Sequence, residues 1–267
     1  MRAFIHSATL ISPQPTFSEG LPSAWQEYAD AMQLRCVEPA YREFLDPMAS
    51  RRMSRIVKIA VCGAMQGLKK AGVAVPDGII SGTGLGCLED TGKFLSSLYA
   101  NEEKLLNPTP FIQSTHNTVA GAIALALKCH GYNATYSQRG FSFDSALSDA
   151  LAQVAGQPGS RMLVCSFDEI TETSFAITSR LGMWRNRAVN SLSLLNHPEK
   201  GSLPGEGAAF FVISGKPADG SVALEGMASV FMPESTGVLQ KALTELLDAA
   251  GMNISDVDLA LLGRNGD

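Results

Sequence analysis

One stretch, from Asn117 to Val154, constrains this chain more than any other. Val119, Ile123, Ala126 and Leu127 recur at helical spacing, and His130-Gly131 is a stop signal. Tyr132 to Ser137 carries β-type residues and predicts a short strand. Gln138-Arg139-Gly140 then makes a sharp corner. A second helix is predicted from Phe141 to Val154, with Phe143, Ala146, Leu147, Ala150, Leu151 and Val154 on one stripe. A strand that turns sharply into a helix is a place where enzymes hold a nucleophile. The side chain stands in the open, and the helix N-terminus offers partial positive charge and free N–H groups to an anion. Here the corner residue is Gly140, which has no side chain. The architecture of a nucleophile site is present without a nucleophile.

The stretch resembles the active-site region of β-ketoacyl synthases, members of the thiolase superfamily. Those enzymes run an N-x-x-A-G-x-I-A helix, then G-P, a strand, and D-T-A-C-S-S-S-L-x-A-L-x-x-A. Laid over that pattern without gaps from Gly131, this sequence places Gly140 where the family has its acyl-carrying cysteine. Ala146, Leu147 and Ala150 keep the helix pattern behind it.

Composition bounds the class. The chain has 267 residues, 45% hydrophobic and 18% charged, which is the make-up of a globular protein with a sizeable core. Its formal net charge of −5, with no Lys/Arg cluster, argues against a nucleic-acid surface. Five cysteines (Cys36, Cys62, Cys87, Cys129, Cys165) are scattered without C-x-x-C spacing. They point to a reducing compartment and to no structural zinc. The N-terminus lacks the pattern of a secretory signal, and no apolar run reaches the ~18 residues of a membrane span. The chain therefore reads as cytoplasmic, with no membrane partner and no cofactor.

Along the chain, Met1 to Leu10 predicts a strand, and Ile11 to Leu45 is irregular with a short helix around Ala24 to Met32. Ser50-Arg51-Arg52-Met53-Ser54-Arg55 opens a helix to Ala71 and is similar to the family's R-R helix start. Asp77 to Gly82 predicts a buried strand. The Gly82-Thr83-Gly84-Leu85-Gly86 that follows reads as a tight strand-to-helix turn. A dinucleotide site is the weaker alternative, because the third spaced glycine is missing. Leu88 to Leu98 predicts a helix. Asn107 to Asn117 reads as a Pro-rich loop. It resembles a family segment at the two-fold axis, which implies that Phe111, Gln113 and His116 shape a partner's acyl pocket.

Arg161 to Phe167 predicts a buried strand, with Cys165 as core. Asp168-Glu169 reads as a solvated strand end, with general acid–base work as the alternative. Phe175 to Lys200 is irregular. Gly205-Glu206-Gly207-Ala208 before an apolar strand matches a second family signature, with Glu206 in a structural role. Ser214 to Gly220 is a linker by composition. Beyond it come a strand (Val222 to Val230), a helix (Gly237 to Ala250) and a strand (Leu259 to Leu262). Aligned on Asp258, the family's first catalytic histidine falls at Gly263, and Gly263 to Asp267 replaces H-G-T-G-T.

The resemblance implies an α/β, thiolase-like layered fold with its N-terminal half complete and a partial second half. Residues 1–215 would form the synthase-like N-terminal domain and 216–267 the start of the C-terminal half. An edge left open at the last strand leads us to expect a natural protein that is longer, or a chain that was cut. Condensing synthases need a thiolate, imidazoles and an oxyanion site. The implied function is thus a non-catalytic homologue, similar to chain-length factors of fatty acid or polyketide (aryl-polyene-type) systems. Phe141 and Phe143 would fill the acyl site. The implied partners are an active β-ketoacyl synthase subunit (or a second copy) and an acyl carrier protein. The alternative is an active 3-oxoacyl-carrier synthase-like acyltransferase or malonyl-carrier decarboxylase, working through Cys165 or one of Ser137, Ser142 and Ser145.

Overall fold

The computed structural model describes residues 2–17, 22–196 and 199–263. In chain order the elements are β1 (Ala3–Ile11), α1 (Pro47–Ser50), α2 (Arg55–Lys70), β2 (Gly78–Gly82), α3 (Leu88–Ala100), α4 (Pro108–Gln113) and α5 (Thr118–Leu127). Then follow β3 (Tyr132–Tyr136), α6 (Ser142–Gly156), β4 (Met162–Asp168), α7 (Glu172–Arg180), β5 (Gly207–Ser214), β6 (Val222–Leu224) and α8 (Thr236–Ala250).

Six strands form one mixed sheet in the order β3-β2-β4-β5-β1-β6. β2 pairs in parallel with both β3 and β4, while β4–β5, β5–β1 and β1–β6 are antiparallel. Parallel neighbours require crossovers, and the helices supply them. The central strands alternate between two cores. Ile79, Leu163, Cys165, Phe167, Phe210 and Val212 face α2 and α5. Ile80, Met162, Val164 and Ile213 face Ala146, Ala150, Leu151 and Val154 of α6. Both faces are covered, which is why these strands read as continuous apolar runs instead of alternating ones. At the end of β2 the backbone meets α6. A Cβ on Gly82 would stand 2.5 Å from the Ser142 carbonyl oxygen, so only glycine lets the helix start there.

Several expectations need correction. No helix forms around Ala24 to Met32; that segment is pinned by remote backbone bonds, Ala31 N–H to Val189 O and Leu34 N–H to Pro204 O. Tertiary pairing overrides local propensity there. Asn107 to Gln113 contains α4, whose first turn is capped by the Asn107 side chain accepting from Thr109 N–H, with Pro108 at the first helical position. The irregular reading of 175–200 misses α7, which starts on a Thr171/Ser174 capping box. β6 spans only Val222–Leu224, and residues 259–262 are exposed and unpaired, because the described residues offer no neighbouring strand to complete a ladder. Gly263 is exposed, and Arg264 to Asp267, expected to replace the histidine motif, lie outside the described residues.

Candidate functional site

The corner after β3 is built by hydrogen bonds over very short range. Residues 139–141 form a single 3₁₀ turn, with Phe141 N–H donating to Gln138 O (3.1 Å). The buried Ser142 hydroxyl closes it, accepting from Gln138 N–H (2.8 Å) and donating to Arg139 O (2.7 Å). Arg139 sits at φ +54°, a left-handed conformation that costs a non-glycine residue about 1–2 kcal/mol. The corner is therefore a tight one, and α6 begins directly behind it. Gly140 itself is exposed, and a Cβ added there would meet nothing within 4 Å. A side chain at this position would project into open space. None does.

Two of the three serines near the corner are occupied, and the third, Ser137, is exposed. Ser142 serves the turn as described, and Ser145 Oγ donates to Phe141 O and to Gln138 Oε1. Neither hydroxyl has an imidazole or carboxylate partner among the described residues. The five cysteines are all free and buried. Burial pushes the Cys62, Cys87 and Cys165 thiols up to about 12 and the Cys36 thiol up to about 11. A thiol in that condition is a poor nucleophile. Cys165, fully buried in the middle of β4, is core as its sequence context suggests.

Phe141 and Phe143 part company. Phe141 stays at the corner, its ring edge-on to Phe231 at 5.5 Å. Together with Tyr136, Gln138, Asp144 and Ser148 these two rings line a groove of about 770 Å³. Phe143 turns the other way and packs on Phe211 of β5 at 5.7 Å, inside the α6 core. The expectation that Phe143 fills the acyl site is corrected: two residues on from Phe141, it lies on the stripe that faces the sheet.

Beside the corner lies the glycine-rich turn between β2 and α3. A Cβ on Gly84 would stand 3.7 Å from Arg139 O. Its anion-binding groups are already taken. Asp168 accepts from Thr83 Oγ1 (2.9 Å), Gly84 N–H (3.0 Å) and Leu85 N–H (3.1 Å). A phosphate would have to displace this internal carboxylate, so the dinucleotide reading has no vacant cradle. Next to it, Glu169 Oε1 accepts from Glu89 N–H at the start of α3 (2.9 Å). Glu169 is only 6% exposed, and burial pushes its carboxyl up to about 7. The solvated strand end expected at Asp168-Glu169 is thus corrected: one carboxylate closes the glycine turn and the other is buried against a helix end.

Glu206 is structural, as its sequence context suggests, though its partners are remote. It accepts from Cys36 N–H, from Ile170 N–H, and from both terminal nitrogens of Arg55. Burial alone would raise its pKa; the Arg55 guanidinium and the two amides outweigh that and hold it below the usual carboxylate range. Arg55, which also pairs with Glu38, is a residue that motif reading passed over. Its signal was a charge at the start of a helix whose buried face is apolar.

Phe111, Gln113 and His116 lie around α4. Phe111 (55% exposed) contacts Phe94 at 5.2 Å, and its neighbour Ile112 is 65% exposed. Gln113 is half-buried and donates to Arg52 O (2.5 Å). His116 is exposed and lies against Gly86, where a Cβ would come within 3.0 Å of its ring. Among the described residues no three His, Cys, Asp or Glu side chains are placed to hold a metal, and no helix is long and apolar enough to cross a membrane.

Solved structures share the fold that carries this site. No curated protein matches the sequence. A β-ketoacyl synthase from Burkholderia phymatum STM815 superposes with a TM-score of 0.68 at 16% identity, over 96% of this chain and 72% of that one. The ishigamide ketosynthase/chain length factor gives a TM-score of 0.68 at 14% identity over the same shares. A ketosynthase in complex with its chain length factor from Xenorhabdus doucetiae gives 0.56 at 18% identity, over 80% of this chain and 79% of that one. At such identities the likeness is one of fold, and the fold is the thiolase-like α/β arrangement of ketosynthases. Residues 23–184 match the family described as β-ketoacyl synthase, N-terminal domain, a span that contains β2, β3, β4, the corner and the glycine turn. The chain belongs to the β-ketoacyl synthase family.

Proposed function

We propose that this chain is a non-catalytic β-ketoacyl synthase homologue that works beside a cysteine-bearing condensing synthase, in the manner of a chain-length factor. The observation that carries the reading is Gly140: the turn and helix of a nucleophile site are in place, and the open position holds a bare backbone. A condensing enzyme needs a low-pKa thiolate at such a position to take the acyl group. The buried cysteines with raised pKa values offer no substitute. Phe141 and Phe231 occupy the space beside the corner, and the exposed Phe111 and Ile112 of α4, near Gln113 and His116, provide apolar surface for a partner subunit. Two of the similar structures are themselves ketosynthases with a chain length factor, which supports a heterodimer as the working unit. The pathway is fatty acid or aryl-polyene-type polyketide synthesis in the cytoplasm, with acyl carrier protein delivering substrate to the partner. Within the chain, residues 1–215 form the synthase-like domain and 216–267 begin the second half.

The test is co-expression with a cysteine-bearing ketosynthase, followed by incubation with radiolabelled acyl-carrier protein. Co-elution, with label on the partner only, is the expected result. Label bound covalently to this chain would favour the alternative, an acyltransferase using a serine or Cys165. Failure of the two chains to co-elute would remove the chain-length-factor reading.

A further inference from the structure

α5 is apolar all round. Its ten residues, Thr118–Leu127, carry no charged side chain, yet only Val119, Ala120 and Ile123 are buried. A helix of that make-up ordinarily has cover on every side. Here Ala122, Leu125 and Ala126 border an open trough of about 400 Å³, and Leu125 is 83% exposed. Phe44, Met53 and Met65 border it too. Phe44 is fixed by an edge-on contact with Phe17 at 5.4 Å, and all three pack against the core that α2 and α5 share. The volume is that of a small-ligand site.

Two of the lining residues, Ser50 and Met53, are joined by Arg51-Arg52. With Met48 and Ala49 these arginines border a second open cavity, of about 690 Å³, and Ala49 borders both cavities. Neither guanidinium has a carboxylate partner among the described residues. Their stretch of backbone is tied down by Gln113, which donates to Arg52 O. Asp46 also borders the trough, but its Oδ1 is engaged by the amides of Met48 and Ala49 at 2.9 Å each.

We propose that the trough binds an amphiphile with a short aliphatic chain and an anionic head. The chain lies among Phe44, Met53, Met65 and Leu125, and the head meets Arg51 and Arg52. Methionine side chains adapt to a flexible alkyl chain, and guanidinium forks suit a carboxylate or a phosphate. The trough lies on the face of the sheet covered by α2 and α5; α6 and the corner lie on the other. The site is therefore independent of what the corner does, and stands whether or not the chain works as a chain-length factor.

Titration calorimetry of the full chain tests this, with ligands kept below micelle formation. Hexanoate, octanoate and decanoate should bind with affinity rising about threefold per added methylene, as burial of alkyl surface requires. Decanoate and decyl phosphate carry the two candidate heads, and the tighter of them identifies the natural one. Decyltrimethylammonium should bind at least about tenfold more weakly than either. Arg51→Gln/Arg52→Gln should weaken both anions about tenfold. Ala126→Trp, which fills the trough from an exposed position on α5, should abolish binding. In protein carrying ¹³C-methyl methionine, the Met53 and Met65 signals should shift on saturation with decanoate. No binding of either anion, a rise below about 1.5-fold per methylene, binding unchanged in both variants, or still Met53 and Met65 signals would each overturn the proposal. A wild-type dimer that Ala126→Trp turns into a monomer would assign the trough to a second copy of this chain and overturn it as well.

Discussion

Glu206 is where this fold concentrates its electrostatics, and Glu206→Gln is the substitution that measures it. The wild-type carboxylate is buried and takes four donors: Cys36 N–H at 3.1 Å, Ile170 N–H at 3.1 Å, and Arg55 Nη1 and Nη2 at 3.0 and 2.6 Å. Glutamine keeps the volume but presents an NH₂ where one oxygen was, so a donor meets a donor on one side of the group. Arg55 is left with Glu38 as its only carboxylate partner. Breaking a buried pair costs about 3–5 kcal/mol. Arg55 is 21% exposed and can rehydrate in part, which places the expected loss near the lower end, about 3 kcal/mol. With a urea m-value of about 3 kcal/mol per molar, the midpoint should fall by about 1 M, with the slope unchanged. Equilibrium urea unfolding at neutral pH reads this directly. The pH dependence gives a second check. The Glu206 pKa is depressed in the folded state, so its contribution is present above the unfolded value of 4.5 and is lost as pH falls through the folded one. The gap between wild type and variant should therefore narrow on acidification. A loss under about 0.5 kcal/mol, or a gap that stays constant into acid, would refute the assignment of this cluster as a stabilising ion pair.

Other outcomes follow from the same geometry. Gly82→Ala drives a methyl to 2.5 Å from the Ser142 carbonyl, backbone against backbone, and should cost about 3 kcal/mol or prevent folding. Gly92→Ala in α3 meets open space and should stabilise by about 0.5–1 kcal/mol; thermal melts distinguish the two signs. Native protein should resist a thiol reagent such as Ellman's, because its five cysteines are buried. Gly140→Cys should add a single fast-reacting thiol without loss of stability, and a slow thiol there would contradict the open corner.

Much of the layout was legible locally. The stripe of Ala146, Ala150, Leu151 and Val154 predicts α6, and all four side chains are buried against the sheet. Phe143 shares that stripe, and periodicity alone places it in the core; alignment to a family motif points it into the acyl site, and the structure follows the periodicity. α4 was missed although Asn107-Pro108 is a helix-start signal, because two prolines in a short segment read as a loop.

From the sequence alone follow the α/β class, the strand–corner–helix, and the absence of a side chain at Gly140, since these depend on residue spacing within about twenty positions. Burial of the carboxyls is another matter. Asp168 reaches Gly84 across 84 positions, Glu169 reaches Glu89 across 80, and Arg55 reaches Glu206 across 151. No local pattern marks such partners. Only when the sheet brings the end of β4, the glycine turn and the start of β5 together does water leave those groups. Desolvation then separates three glutamates and aspartates of similar sequence context into a turn clamp, an ion pair and a carboxyl that titrates near neutrality.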